Sequence, residues 1–249
     1  MIGERKMLFK CIQCEKMKLK HSHMWIAFVL IPLLPSVMGT MNYLQNLAVL
    51  KSEWFSLWTQ ETLFYSDFFY APLIAIYCGY LWRIENRNKN RHLLMTMPVP
   101  VRNVFLGKLV SIAKITLFTQ LWVFVLFFVT GKFLHFGGMP PVPILLYALR
   151  GTLGAMVIAA LQLLLSMTIR SFAAPVAIAI FGAVTGMLMS NSRYGICYPY
   201  SLMMLGMNAG RKDDMLSGSS LPFMLSSFFY LLLFSAIAVH LLKHRDVRT

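Results

Sequence analysis

The residues with catalytic chemistry are few and scattered along the chain. No G-x-x-x-x-G-K-[ST] segment is present to bind ATP phosphates, no H-E-x-x-H segment to bind zinc, and no G-x-S-x-G segment to carry a nucleophilic serine. Asp67 is the only carboxylate inside a long apolar run, and no histidine accompanies it there. A membrane enzyme normally places acids or a nucleophile at depth. The sequence therefore predicts a chain without catalytic residues of its own.

The segment near the N-terminus contains two cysteines and two histidines, which are possible metal ligands. Cys11 and Cys14 form a C-x-x-C pair, and His21 and His23 follow, a set that would suit zinc if all four converged. Helical spacing places the two histidines on different sides, which prevents convergence. The segment is also basic and amphipathic. We therefore predict no metal site, but an interfacial helix over residues 1–23 on the inner face of a membrane.

The composition indicates which elements carry these residues. Of 249 residues, 58% are hydrophobic and 13% are charged, and the mean hydropathy is +0.64. A soluble domain carries about 25% charged residues to cover its surface. The predicted fold class is therefore all-α, a polytopic membrane protein whose helices span a bilayer.

Six apolar segments approach the length of about 20 residues that a membrane-spanning helix requires. They are 24–41, 63–82, 104–130, 145–169, 173–190 and 222–242. With both termini inside, sixteen of the 23 lysines and arginines fall on the cytoplasmic side and five on the other. We predict six transmembrane helices within residues 24–249, cytoplasmic N- and C-termini, and no nucleic-acid partner despite the net charge of +14.

Two segments on the outer side contain aromatic side chains. Residues 42–62 include Trp54 and Trp58 among polar residues, a composition suited to the headgroup layer. Residues 191–221 include Tyr198 and an apolar patch that is too short to span. We predict an interfacial helix in the first segment and a re-entrant element covered by protein in the second.

Three of the polar side chains within the predicted spans are candidates for a function. Lys114 either extends its ammonium group to the cytoplasmic interface or faces a polar cavity. Gln120 and Gln162 either hydrogen-bond one helix to another or contribute to a ligand site. The sequence leaves these alternatives open.

The connection after the second span has the most distinctive pattern in the chain. Residues 82–109 read WRIENRNKNRHLLMTMPVPVRNVFLGKL, polar at first, then apolar, then broken by Pro98 and Pro100. Proline lacks an amide proton and restricts the residue before it, so that a helix must end there. We predict a short helix near residues 85–97 that projects into the cytoplasm. Its apolar end is typical of a helix that binds in a groove of a partner.

This stretch resembles the intracellular loop of the permeases of ABC transporters of the ABC-2 type. In that family the loop contains six features in a fixed order. They are an acidic residue, a short coupling helix, leucines, an "LPV" proline turn, a basic residue and a "KL" pair. The corresponding residues here are Glu85, Asn86, Leu93, Leu94, Met97, Pro98, Val99, Arg102, Gly107, Lys108 and Leu109. Within the family the chain looks most like the lantibiotic-immunity permeases, through residues 52–90.

The resemblance implies that separate ABC ATPase subunits bind ATP and Mg²⁺, and that this chain binds no cofactor of its own. A second permease chain, either another copy or a paralogue, would complete the pathway in a bacterial cytoplasmic membrane. The residues implied in coupling to the ATPase are Glu85, Asn86, Asn90, Arg91, Leu93, Leu94, Pro98 and Arg102. Glu85 would pair with a basic residue of the ATPase.

The substrate implied by the resemblance is hydrophobic or amphipathic, a lantibiotic-like antimicrobial peptide that is expelled from the membrane to give immunity. Candidates for its path are Trp54, Trp58, Lys114, Gln120, Gln162 and Tyr198. Two other classes of function compete with this one. A stand-alone secondary transporter would place charges or broken helices at the bilayer midplane. A membrane-embedded enzyme would require a catalytic motif other than the three that the sequence lacks.

Overall fold

A computed structural model describes residues 2–20, 22–86, 98–218 and 220–244. These residues are helical or form turns, with no strand among them. The helices, numbered in chain order, are α1 (Ile2–Lys20), α2 (Met24–Leu30), α3 (Leu33–Gln45), α4 (Glu53–Phe64), α5 (Tyr70–Asn86), α6 (Val101–Phe133), α7 (Val142–Thr168), α8 (Ala173–Ser190), α9 (Ser201–Met207) and α10 (Ser220–His244). The all-α fold class is confirmed for the described residues.

Five helical segments in the described residues are long and apolar enough to cross a membrane. They are Met24–Gln45, which joins α2 and α3, and the helices α6, α7, α8 and α10. Each overlaps a segment predicted from the sequence. The chain is therefore a multi-pass membrane protein, and the orientation of its termini stays a prediction.

The predicted second span, 63–82, is not among these five helical segments. That stretch is divided among the end of α4, a π-helical turn over Tyr65–Phe69 and the 17-residue helix α5. All but one of the side chains described in α5 are at least partly buried, because α7 and α8 pack against it. Its apolar residues thus pack against other helices of the chain, and a sixth transmembrane helix stays a prediction.

Prolines set the starts of the two longest helices. Pro100 precedes α6 and Pro141 precedes α7, each in an extended backbone conformation. A proline at this position removes an amide proton that has no helical acceptor in any case. The predicted proline break at 98–100 is therefore where α6 begins.

The predicted re-entrant segment, 191–221, contains the short helix α9. All seven residues of α9 are buried, and the helix packs against α7 and α8. Gly154 of α7 permits this contact, because a Cβ atom there would lie 2.5 Å from the backbone nitrogen of Met203. The position of α9 relative to a membrane stays a prediction.

Candidate functional site

The last turn of α5 and the second turn of α6 bring two opposite charges together in the protein interior. Lys108 is fully buried and Glu85 is 5% exposed. The Lys108 ammonium nitrogen lies 3.0 Å from Glu85 Oε1 and donates a hydrogen bond to it. Glu85 is the last described side chain before the 87–97 connection, so the pair joins both helices at the root of that connection.

Helix α1 adds a second acid and a second base to this pair. The Lys108 ammonium group also lies 3.0 Å from Glu15 Oε1. Lys18 donates a 2.7 Å hydrogen bond to Glu15 and a short one to Glu85 Oε1. We call Glu15, Lys18, Glu85 and Lys108 the root cluster. It connects three helices that are far apart in sequence.

The root cluster balances two negative charges with two positive ones. Burying an unpaired charge is strongly unfavourable, whereas hydrogen-bonded partners offset the loss of hydration. Lys108 receives further compensation from the carbonyl oxygen of Leu81, at 3.5 Å, and from the Trp82 ring, whose centroid lies 4.9 Å from the ammonium group. The cluster therefore stabilises a single arrangement of α1, α5 and α6.

The cluster favours the charged forms of Glu85 and Lys18. Burial alone would raise the pKa of Glu85, but Lys108 and then Lys18 outweigh it and lower that pKa below its ordinary value. Burial alone would lower the pKa of Lys18, but Glu15 and Glu85 outweigh it and raise that pKa. Both residues are thus charged at neutral pH.

A close approach of backbones lets α1 reach the cluster. At Gly107, one residue before Lys108, a Cβ atom would lie 3.0 Å from the Cβ of Cys11 in α1. The missing side chain at residue 107 therefore leaves room for α1 against α6. In the described part of the chain no three His, Cys, Asp or Glu side chains are placed to bind a metal ion.

The structure corrects the expected partner of Glu85. The sequence predicted that this carboxylate would pair with a basic residue of another subunit, but it is buried and paired with Lys18 and Lys108. Lys108, which the sequence indicated only through the "KL" pair of the family pattern, is fully buried. Sequence reasoning missed Glu15. Its position three residues before Lys18 in a basic helix was the available signal.

The other predicted coupling residues divide into three groups. Pro98 and Arg102 are exposed beside the start of α6. Asn86 is the last residue of α5. Asn90, Arg91, Leu93 and Leu94 lie outside the described residues, as does most of the helix predicted near 85–97. Their role in coupling stays a prediction.

The structure also corrects the expected exposure of Trp54 and Trp58. Trp54 is 6% exposed and Trp58 is fully buried, so neither lies on an outer surface. Their indole N–H groups donate to backbone carbonyls, Trp54 to Gly137 at 3.0 Å and Trp58 to Met207 at 2.8 Å. Both rings contact Phe127 edge to face. These internal acceptors and rings explain why the indoles pack inside, although their composition suited a headgroup layer.

The remaining candidates for a substrate path do not converge on one site. Lys114 is exposed on α6, whereas Gln120 of the same helix is 3% exposed and its amide has no hydrogen-bond partner among the described residues. Gln162 is buried and donates a 2.7 Å hydrogen bond to the Tyr200 hydroxyl. Tyr198 is half-buried, with its hydroxyl 2.8 Å from that of Thr185. Gln162 thus connects α7 to the segment before α9.

The family of the chain follows from a comparison with known protein families. Residues 11–186 match the family described as ABC-2 family transporter protein. The match covers more than half of the chain and includes all four residues of the root cluster. The chain belongs to the ABC-2 transporter family. A search among curated proteins finds no match.

Membership of the ABC-2 family confirms the family predicted from the loop residues. ABC-2 permeases are the membrane subunits of ABC transporters, and their ATP is hydrolysed by an ABC ATPase subunit. The root cluster therefore lies in a membrane permease, at the base of the connection that the sequence predicts to bind the ATPase.

Proposed function

We propose that this chain is the permease subunit of an ABC-2 exporter that removes a lantibiotic-like antimicrobial peptide from a bacterial cytoplasmic membrane. A second permease chain would complete the pathway, and a separate ATPase subunit would bind and hydrolyse ATP. The N- and C-termini would lie in the cytoplasm. The observation that carries the transport mechanism is the root cluster.

The root cluster suits the transmission of force between subunits. A partner that moves the 87–97 connection also moves its two attachment points, the end of α5 and the start of α6. Because Lys108 hydrogen-bonds both Glu85 and Glu15, displacement of α5 is resisted by α1 and α6 together. Rotation of these helices as a unit would then alter the packing of α5 against α7 and α8, in the centre of the bundle.

The substrate class rests on the likeness of residues 52–90 to lantibiotic-immunity permeases and on the apolar helices of the bundle. An amphipathic peptide that inserts in a membrane reaches such helices directly from the lipid. Since Trp54 and Trp58 are buried, we place the first peptide contacts on the more accessible aromatic segment that contains Tyr194 and Tyr198.

Resistance measured in a sensitive bacterium tests this proposal. The permease is expressed with an ABC ATPase subunit from its own host, and the inhibitory concentrations of several lantibiotics are determined. We expect resistance only when both subunits are present. We expect this resistance to be lost when the catalytic glutamate of the ATPase is replaced. Resistance from the permease alone, or unchanged sensitivity to every lantibiotic with both subunits in the membrane, would contradict the proposal.

A stand-alone secondary transporter is the alternative to this proposal. Its candidate for a charge at the bilayer midplane is Lys114, whose side chain is exposed on α6. Transport in proteoliposomes driven by an ion gradient without ATP would restore this alternative.

A further inference from the structure

The last turn of α10 carries two histidines that neither the coupling mechanism nor the substrate path uses. His240 and His244 are four residues apart, and the centroids of their rings lie 4.4 Å from each other, with an angle of 43° between the ring planes. Side chains at this spacing lie on the same face of an α-helix. The two imidazole rings are therefore neighbours on one face of α10.

The histidine face of α10 is turned away from the apolar core. Both histidines are exposed, whereas Ala238 and Leu242, each two positions from His240, are buried in the core. An α-helix turns by about 100° per residue, so side chains two positions apart point to nearly opposite sides. The nitrogen atoms of both rings are thus accessible from outside the bundle.

The length of α10 indicates where this turn lies relative to a bilayer. The helix comprises 25 residues, which corresponds to about 37 Å, whereas the hydrocarbon core of a bilayer is about 30 Å thick. Its last turn also carries Lys243, an exposed cation whose long side chain extends its ammonium group into water. Both features favour a position in the headgroup layer, where dissolved metal ions reach the rings.

The arrangement of the rings suits coordination of one metal ion by both. Neutral imidazole binds transition-metal ions through a ring nitrogen. An ion about 2.1 Å from each coordinating nitrogen lies about 3 Å from each ring centroid. Centroids 4.4 Å apart then subtend an angle of roughly 90° at the ion. This is the angle between adjacent ligands of a square-planar complex, the geometry typical of copper(II) and nickel(II).

We propose that His240 and His244 together bind one divalent late transition-metal ion, with copper(II) and nickel(II) preferred over zinc(II). In the described part of the chain no third His, Cys, Asp or Glu joins the pair, so water would occupy the other coordination positions. The ion would fix the last turn of α10. The buried residues of that turn belong to the same core as Leu81 and Trp82, which contact Lys108 of the root cluster.

Isothermal titration calorimetry with Cu²⁺, Ni²⁺ and Zn²⁺ tests the site in the full chain, purified in detergent without a polyhistidine tag. Cys11, Cys14 and Cys197 are replaced by serine in this parent chain, so that their free thiols do not compete for the metal. We expect one ion per chain, bound most tightly for Cu²⁺. His240→Gln and His244→Gln should each weaken binding at least about tenfold.

His23→Gln provides the matched control, because it removes one exposed histidine outside α10 and should bind as the parent chain does. Electron paramagnetic resonance of the Cu²⁺ complex should show two nitrogen ligands in the parent chain and one in His240→Gln. Unchanged affinity in His240→Gln, an equal loss in His23→Gln, or one ion shared by two chains would each overturn the proposal. Neither an ATPase nor a lantibiotic enters these assays, so a negative result leaves the export proposal standing.

Discussion

Lys108 has its ammonium group fully buried between two carboxylates, a backbone carbonyl and the face of an indole ring. The group is stable there only because each neighbour replaces part of its lost hydration. Removing it leaves Glu15 and Glu85, both nearly buried, with Lys18 as their remaining partner in the root cluster. Lys108 is therefore the side chain whose removal should weaken the cluster most.

We predict that Lys108→Met lowers the stability of the chain by on the order of 3 kcal/mol, because breaking a buried ion pair leaves an uncompensated charge. Lys114→Met is the matched control, since it removes the same group from the exposed face of the same helix. That variant should change stability by less than about 0.5 kcal/mol. Thermal unfolding of both variants in detergent measures the difference, and equal shifts would refute a structural role for the root cluster.

Acid should weaken the same cluster through Glu85. The pKa of this carboxyl is lowered in the folded chain, so its contribution to stability is complete above the unfolded pKa of about 4.3 and is lost as the pH falls through the folded value. Glu85→Gln cannot titrate and should lose less of its stability over that range. Unfolding midpoints between about pH 3 and pH 7 test this, and parallel curves for the two proteins would count against it.

At the scale of elements, α9 depends on close contact with α7. Its residues are all buried, and Gly154 and Gly206 let the two helix backbones approach. Gln162 and Tyr200 then connect α7 to the segment before α9 by a 2.7 Å hydrogen bond. The segment predicted as re-entrant is therefore packed closely against α7.

Gly154→Ala tests this contact. The added methyl group would lie within 2.6 Å of two backbone atoms of Met203, so α9 must shift, and we expect a loss of about 1–3 kcal/mol. Gly137→Ala provides the control, because no heavy atom lies within 4 Å of its added methyl group. Thiol labelling of a Met203→Cys variant, with and without Gly154→Ala, reports the shift of α9. If the alanine at 154 leaves both stability and labelling unchanged, the contact is not tight.

The sequence predicts the elements well where apolar length alone determines them. The segments 145–169 and 173–190 nearly coincide with α7 and α8. The π-helical turn before α5 and the burial of α5 among other helices were not predicted, because both features depend on its neighbours. The root cluster was not predicted for the same reason. Glu15 and Lys108 are 93 residues apart, and only the packing of α1 on α6 brings them together.

At the scale of the whole molecule, membership of the ABC-2 family makes this chain one subunit of a larger transporter. In the function that we propose, the root cluster lies where movement of an ATPase would enter the bundle. We expect an affinity-tagged permease, purified from its own host in mild detergent, to retain an ATPase subunit. Recovery of the permease without any ATP-binding protein would contradict this assembly.

We propose that the root cluster couples ATP hydrolysis to transport, and the ATPase activity of the reconstituted complex reports this coupling. Activity is measured with and without a lantibiotic that the complex exports, for the native permease, for Lys108→Met and for Lys114→Met. We predict that the lantibiotic stimulates the native and Lys114→Met complexes alike, and that Lys108→Met assembles with the ATPase but loses the stimulation. Full stimulation in an assembled Lys108→Met complex would contradict the claim.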